Sequence, residues 1–190
     1  MYCAHVGWLA RSAPYFYASF MFGKPRKLDT ESELYEVAVR ALMRRAHSVS
    51  EMKKLLARRS DSELLVRVVL ARLRENGQVD DARYAKSFVR QRTEIRRQGK
   101  FRIKRDLRAR GVPDEQIEAA LAETAETVDE AALVRHRIER KLKLTRGEID
   151  DRKIASLYGS LMRAGFAPDL IRRELKALTR SEIPEVEPSE

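Results

Sequence analysis

The sequence predicts an all-α protein. Three tandem three-helix units form an elongated, curved repeat array whose helices cross near right angles. Two observations carry this. Apolar residues recur at spacings of three and four, as in Leu34, Val37, Ala38, Ala41 and Leu42 or Tyr84, Ala85 and Phe88, and no segment sustains the alternation of a strand. In addition, residues 55–73, 106–124 and 160–178 align with one another. Leu56, Leu107 and Leu161 correspond at offsets of 51 and 54 residues, as do Val66, Ile117 and Ile171, and Leu70, Leu121 and Leu175. One such unit buries little apolar surface alone, so neighbours are expected to stack end to end. With few contacts crossing between units, bending at the junctions is expected to be easy.

The expected units span residues 28–78, 79–125 and 126–180, flanked by an atypical segment 1–27 and an acidic tail 181–190. The first helix of each unit is expected over residues 34–45, 81–92 and 130–142. A second and a third helix follow, joined by a turn that carries Ser60, Gly111 or Gly165. Gly111 and Gly165 sit where a helix C-terminus calls for a left-handed residue. Ser60-Asp61-Ser62, Pro113-Asp114 and Pro168-Asp169 supply cap or first-turn residues for the next helix. Asp80-Asp81 after Gly77 reads as a cap and a first-turn acid fixing the junction between units, not as a catalytic carboxylate pair, and Asp150-Asp151 reads the same way. Tyr84 and Phe88, at helical spacing, are expected in the core, and Phe101 on an outward face.

The flanks differ from the body. Residues 1–27 hold Trp8, Tyr15, Phe16, Tyr17, Phe20 and Phe22 with four basic residues and no acid. Their apolar run is too short for a membrane span and lacks the pattern of a signal peptide; Met21 is a candidate alternative initiator. The tail, with four Glu and two Pro, is expected to be disordered and solubilising.

Charge points to a polyanionic partner. Lys and Arg number 39 against 29 Asp and Glu, a net +10. The densest run, residues 90–110, holds ten basic residues, among them Arg96, Arg97, Lys100, Arg102, Lys104, Arg105, Arg108 and Arg110, against Glu94 and Asp106 alone. Ile103 and Leu107 face the core, while Lys100, Lys104 and Arg108 recur every four residues on another face, where like charges repel. A bound anion would relieve that repulsion. Arg137, Arg140, Lys141, Lys143, Arg172 and Arg173 form a second basic surface in unit three. Arg40, Arg44, Arg45, Lys53, Lys54, Arg58 and Arg59 form one in unit one. Such contacts to phosphates position a protein without reading base sequence.

No chemistry-bearing constellation accompanies this charge. Cys3 is the only cysteine, which suits a reducing cytoplasm and rules out an intrachain disulfide. His5, His47 and His136 share no ligand spacing, and no phosphate-binding glycine loop or nucleophile elbow is present. The expectation is a non-enzymatic monomer without metal or cofactor.

Four segments, in register on the threefold repeat, resemble the RecX family of bacterial recombination regulators over about residues 33–178. They are Arg45-Ala46-His47-Ser48-Val49-Ser50-Glu51-Met52, then Gly77-Gln78-Val79-Asp80-Asp81-Ala82-Arg83-Tyr84-Ala85. Residues 102–112 (RIKRDLRARGV) and Leu161-Met162-Arg163-Ala164-Gly165-Phe166 complete the set. The resemblance implies a cytoplasmic protein that binds RecA and lies along the groove of its filament on single- or double-stranded DNA. There it would block filament growth, ATP hydrolysis and strand exchange, and so limit recombination and the DNA-damage response. The alternative is a DNA-binding protein acting without RecA, nonspecific or of helix-turn-helix type. Against the helix-turn-helix form stands the acidic second helix at residues 114–123, which a DNA groove would repel.

Overall fold

The computed structural model describes residues 27–144 and 150–181, with side chains through residue 177; the segments 1–26 and 182–190 lie outside the described residues. Among them are nine helices: α1 (Glu31–Arg44), α2 (Val49–Ala57), α3 (Glu63–Glu75), α4 (Asp81–Glu94), α5 (Lys100–Ala109), α6 (Asp114–Ala125), α7 (Glu130–Lys143), α8 (Asp151–Ala164) and α9 (Pro168–Ser181). No strand occurs among the described residues.

Each three consecutive helices enclose their own apolar cluster. Leu34, Ala38, Met52, Leu56, Val66, Val69 and Leu73 fill the first. Ala85, Val89, Ile103, Leu107, Ile117 and Ala120 fill the second, with Tyr84 and Phe88 at its edge. Val134, Ile138, Leu157, Leu161, Phe166, Ile171 and Leu175 fill the third. The repeat-related Leu56, Leu107 and Leu161 are all buried. Three small cores in place of one deep core are what a linear stack of units produces.

The helix ends follow from local chemistry. Ser48 caps α2 and forms a reciprocal box with Glu51, whose carboxylate accepts from the Ser48 amide. Asp80 caps α4, accepting from the Ala82 and Arg83 amides, and Asp150 caps α8, accepting from Lys153. Gly111 (φ +73°) and Gly165 (φ +91°) are left-handed where the second helix of a unit ends.

Helix packing is concentrated within the units, as the sequence suggests, and specific hydrogen bonds join one unit to the next. At both junctions, the start of one unit's middle helix docks onto the next unit. Between units one and two, the Ser48 hydroxyl donates to the Arg110 carbonyl at 2.6 Å, and the Val49 amide donates to Asp81 at 2.9 Å. Between units two and three, the Gly99 amide donates to the Ala164 carbonyl at 2.9 Å. There the Phe101 amide donates to Gly165 at 3.1 Å and the Lys100 amide to Glu130 at 3.3 Å. Asp81 and Glu130 each open the first helix of their unit. The same first-turn acid therefore caps the neighbour's middle helix in both joints, satisfying an amide that helix geometry leaves without a partner.

Candidate nucleic-acid interface

The basic run of residues 90–110 is not the bare cationic face that its sequence suggests. Lys104 is ion-paired with Glu118 of α6. Arg108 holds Asp114 through two hydrogen bonds of 2.6 and 2.8 Å. Arg110 donates to Glu51 of α2 at 2.7 Å, and Lys100 lies 3.8 Å from Glu130. Arg102 donates to the Arg163 carbonyl at 3.0 Å across the second junction. Acids are scarce within residues 90–110 themselves, but α2, α6 and α7 supply them from elsewhere in the chain. The Asp114 carboxyl is held below its ordinary range by the hydrogen bonds from Arg108 and by its charge. In unit three, Arg172 pairs with Asp169 at 2.5 Å and Arg173 approaches Glu174 at 3.4 Å. Arg105 is exposed, and no ion pair holds it among the described residues.

What the fold brings together instead are two clefts, one at each junction. The first, of about 550 Å³, lies between the end of α1 and the outer face of α4; Arg45, Tyr84, Ser87, Phe88, Gln91, Arg92, Ile95 and Arg110 line it. The second, of about 760 Å³, lies between the α4–α5 connection and α7; Glu94, Ile95, Arg96, Arg97, His136, Arg137, Arg140, Lys141 and Leu144 line it. Glu94 and Ile95 border both, so the clefts adjoin. They are also repeat-equivalent. Aligning α4 with α7 superposes Ser87 on His136, Phe88 on Arg137, Gln91 on Arg140, Arg92 on Lys141 and Ile95 on Leu144. Ile95 and Leu144 are 74% and 78% exposed, an apolar knob beside each cluster of guanidiniums.

The first cleft is aromatic and cationic. The Arg92 and Arg110 guanidiniums stand 4.7 and 5.1 Å from the Phe88 ring centroid. Glu51 ties Arg45 and Arg110 together behind it, at 2.9 and 2.7 Å. Burial would raise the Glu51 carboxyl. The Arg45 hydrogen bond, the two arginine charges and the Ser48 amide outweigh it and hold the group below the ordinary range.

His47, buried beside this network, is pushed below its usual value first by burial and then by Arg45. A base depressed in the folded state is protonated more readily in the unfolded chain. Its contribution is intact above pH 6.5 and is lost as pH falls below it. Stability should therefore decline from pH 7 to pH 5.5, by at most about 1.4 kcal/mol per pH unit from this group. Urea unfolding at stepped pH measures the decline. His47→Gln should flatten it, because buried Gln98 already fills the corresponding place before α5. An unchanged slope in the variant would remove His47 as the cause.

The second cleft owes its shape to a backbone exception. The α1–α2 connection runs from residue 45 to 48, and the α4–α5 connection from 95 to 99, one residue longer. Arg97 absorbs the extra residue with φ +47°, the only positive value outside glycine among the described residues. This turn presents the Arg96 and Arg97 carbonyls to the Arg137 guanidinium, at 2.9 and 2.7 Å. Arg137 is depressed from its ordinary value by burial first and then by Arg140, Arg102 and Arg97. Phe101, 53% exposed on α5, carries Lys100 5.7 Å from its ring centroid.

Among the described residues, no group of acidic, histidine and cysteine side chains has the geometry to hold a metal, and no helix is long and apolar enough to cross a membrane. The sequence singled out the individual arginines of both clefts. It did not show that residues 45 and 92, or 96 and 140, share one surface.

The chain is a three-unit all-α helical repeat protein with basic clefts at its joints, and three comparisons identify its family. The family model described as RecX, second three-helix domain, matches residues 80–121. Regulatory protein RecX of Halorhodospira halophila is 38% identical over 72% of this chain and 83% of its own length. That of Prosthecochloris aestuarii is 32% identical over 70% of this chain and 85% of its own. A crystal structure of RecX from Lactobacillus salivarius has the same fold, with a TM-score of 0.69 over 79% of this chain and 97% of that one, at 21% identity. The chain belongs to the RecX family of regulatory proteins.

Proposed function

We propose that this protein binds the RecA filament on DNA as a monomer in the cytoplasm. There it restrains filament extension, ATP hydrolysis and strand exchange, without catalysis of its own. The observation that carries this reading is the pair of adjoining, repeat-equivalent basic clefts along three stacked units. A surface that repeats along its length matches a polymer that repeats along its own. Guanidiniums set beside Ile95 and Leu144 suit a mixed surface of phosphates and protein side chains. Family membership supplies the regulatory class.

The test is RecA's DNA-dependent ATP hydrolysis with this protein titrated in, beside the double variant Arg96→Glu, Arg140→Glu. Both side chains are exposed and make no ion pair among the described residues, so the variant should fold. The wild type should inhibit at sub-stoichiometric ratios, and the variant should need roughly tenfold more protein, equivalent to a loss of about 1.4 kcal/mol. No inhibition by the wild type at any ratio, with DNA binding intact, would replace this reading with that of a DNA-binding protein acting without RecA.

A further inference from the structure

We propose that the cleft between units two and three seats a single phosphate group, gripped jointly by Arg137 and Arg140 of α7 and Arg96 of the α4–α5 connection. The proposal deepens the reading above and rests on it for nucleic acid as the source of the phosphate. The first support is an unbalanced charge. Arg96, Arg97, Arg137 and Arg140 line one cleft of about 760 Å³. Among the described residues none of the four is ion-paired to a carboxylate, and Glu94, the acid that also lines the cleft, pairs with none of them. At other packed positions, such as Arg108, Arg110 and Arg135, a carboxylate meets the guanidinium. Arg97 and Arg137 are half-buried while Arg96 and Arg140 are exposed, and a half-buried cation without counter-charge is costly unless an anion joins it.

Pre-organisation is the second support. Arg137 is not free to swing, because its Nε and one Nη donate to the Arg97 and Arg96 carbonyls. Those carbonyls are in place because Arg97 adopts a left-handed backbone, which is unfavourable for a non-glycine residue. A guanidinium has five donors, so Arg137 retains others for an anion. Arg140 stands one turn further along the same helix, and Arg96 enters from the opposite wall.

A contrast within the molecule is the third. At the equivalent cleft between units one and two, Phe88 replaces Arg137 and Gln91 replaces Arg140. Its arginines Arg45 and Arg110 are already joined by Glu51. Two copies of one architecture thus differ in chemistry: the second places two arginines of α7 where the first has Phe88 and Gln91. A phosphate there would bridge the α4–α5 connection to α7, adding a contact across the joint.

The test uses the full chain, with sodium pyrophosphate and a mixed-sequence DNA duplex as probes and chloride adjusted to constant ionic strength. Calorimetric titration should show one pyrophosphate site. Affinity should fall at least tenfold in Arg140→Gln, which copies the residue of the other cleft, and should be abolished in Arg96→Gln, Arg140→Gln. Duplex binding should lose about 0.9 from its log–log salt slope in the double variant, which releases the phosphate. Arg140→Gln alone should lose no more than that, because the slope counts phosphates and not arginines. Absent pyrophosphate binding, or binding indifferent to both variants, overturns the site. A pyrophosphate response with an unchanged duplex slope keeps the phosphate seat but overturns nucleic acid as its source. RecA inhibition that persists while both probes ignore the variants rejects the site and leaves the proposed function standing.

Discussion

Gly165→Ala is expected to cost about 3 kcal/mol and to open the joint between units two and three. Two effects add. Gly165 has φ +91°, where a side chain carries a conformational penalty of about 1–2 kcal/mol. A Cβ there would also stand 2.4 Å from the Arg102 backbone nitrogen and 2.9 Å from its Cα. That neighbour is the first turn of α5 and cannot swing aside, so the overlap adds about 1–3 kcal/mol. Gly99 faces the same contact from the other side; its Cβ would lie 2.2 Å from the Gly165 carbonyl oxygen. Gly77→Ala separates the terms. Gly77 has φ +62° but nothing within 4 Å of the added carbon, so it should lose only the conformational part. Urea unfolding of the three proteins gives the energies. Amide hydrogen exchange at Gly99 and Phe101, whose amides donate across the joint, reports its opening. Equal losses for Gly77→Ala and Gly165→Ala would show that the close approach of the two backbones contributes nothing.

Glu51→Ala should cost about 2–3 kcal/mol, because one carboxylate serves three partners. It accepts from Arg45 at 2.9 Å, from Arg110 at 2.7 Å and from the Ser48 amide at 3.4 Å. Its side chain is only 18% exposed, and removal leaves two arginines facing each other without their common counter-charge. Hydrogen bonds to charged groups contribute about 1.5–3 kcal/mol, and truncating one partner of a half-buried pair approaches the upper part of that range. The loss should shrink when Arg110→Ala is combined with it. A double-mutant cycle in denaturant is the measurement, and additive losses would show that Glu51 and Arg110 are uncoupled. Acid works through the same group. The folded carboxyl lies below its unfolded value of 4.5, so its contribution is complete above that pH and fades as pH falls through the lower folded value. Raised by burial, Asp81 at the same joint acts in the opposite sense near pH 4.

The two glycines and the glutamate show how far local pattern reaches. Gly111 and Gly165 were legible as helix-ending residues because a left-handed stop leaves a composition signal within a few positions. The close packing of Gly99 against Gly165 was not, because a backbone contact across units leaves no periodic trace. Glu51 was visible as part of a capping sequence, but its hold on Arg110, 59 residues away, was not. Lys104 and Arg108 look like free cations in the sequence for the same reason, since Glu118 and Asp114 reach them only once α5 and α6 pack.

The sequence by itself determined the helical class, the threefold repeat and the residues that fill each core. Those depend on the helical period and on residue chemistry, which are local and additive along the chain. Tertiary structure alone decided which of the many arginines retain unbalanced charge. Neutralisation depends on distances of a few ångströms between residues tens of positions apart, and the stacking of the units sets those distances. It gave Arg110 to Glu51 and Arg108 to Asp114, and it left Arg137 and Arg140 facing an open cleft.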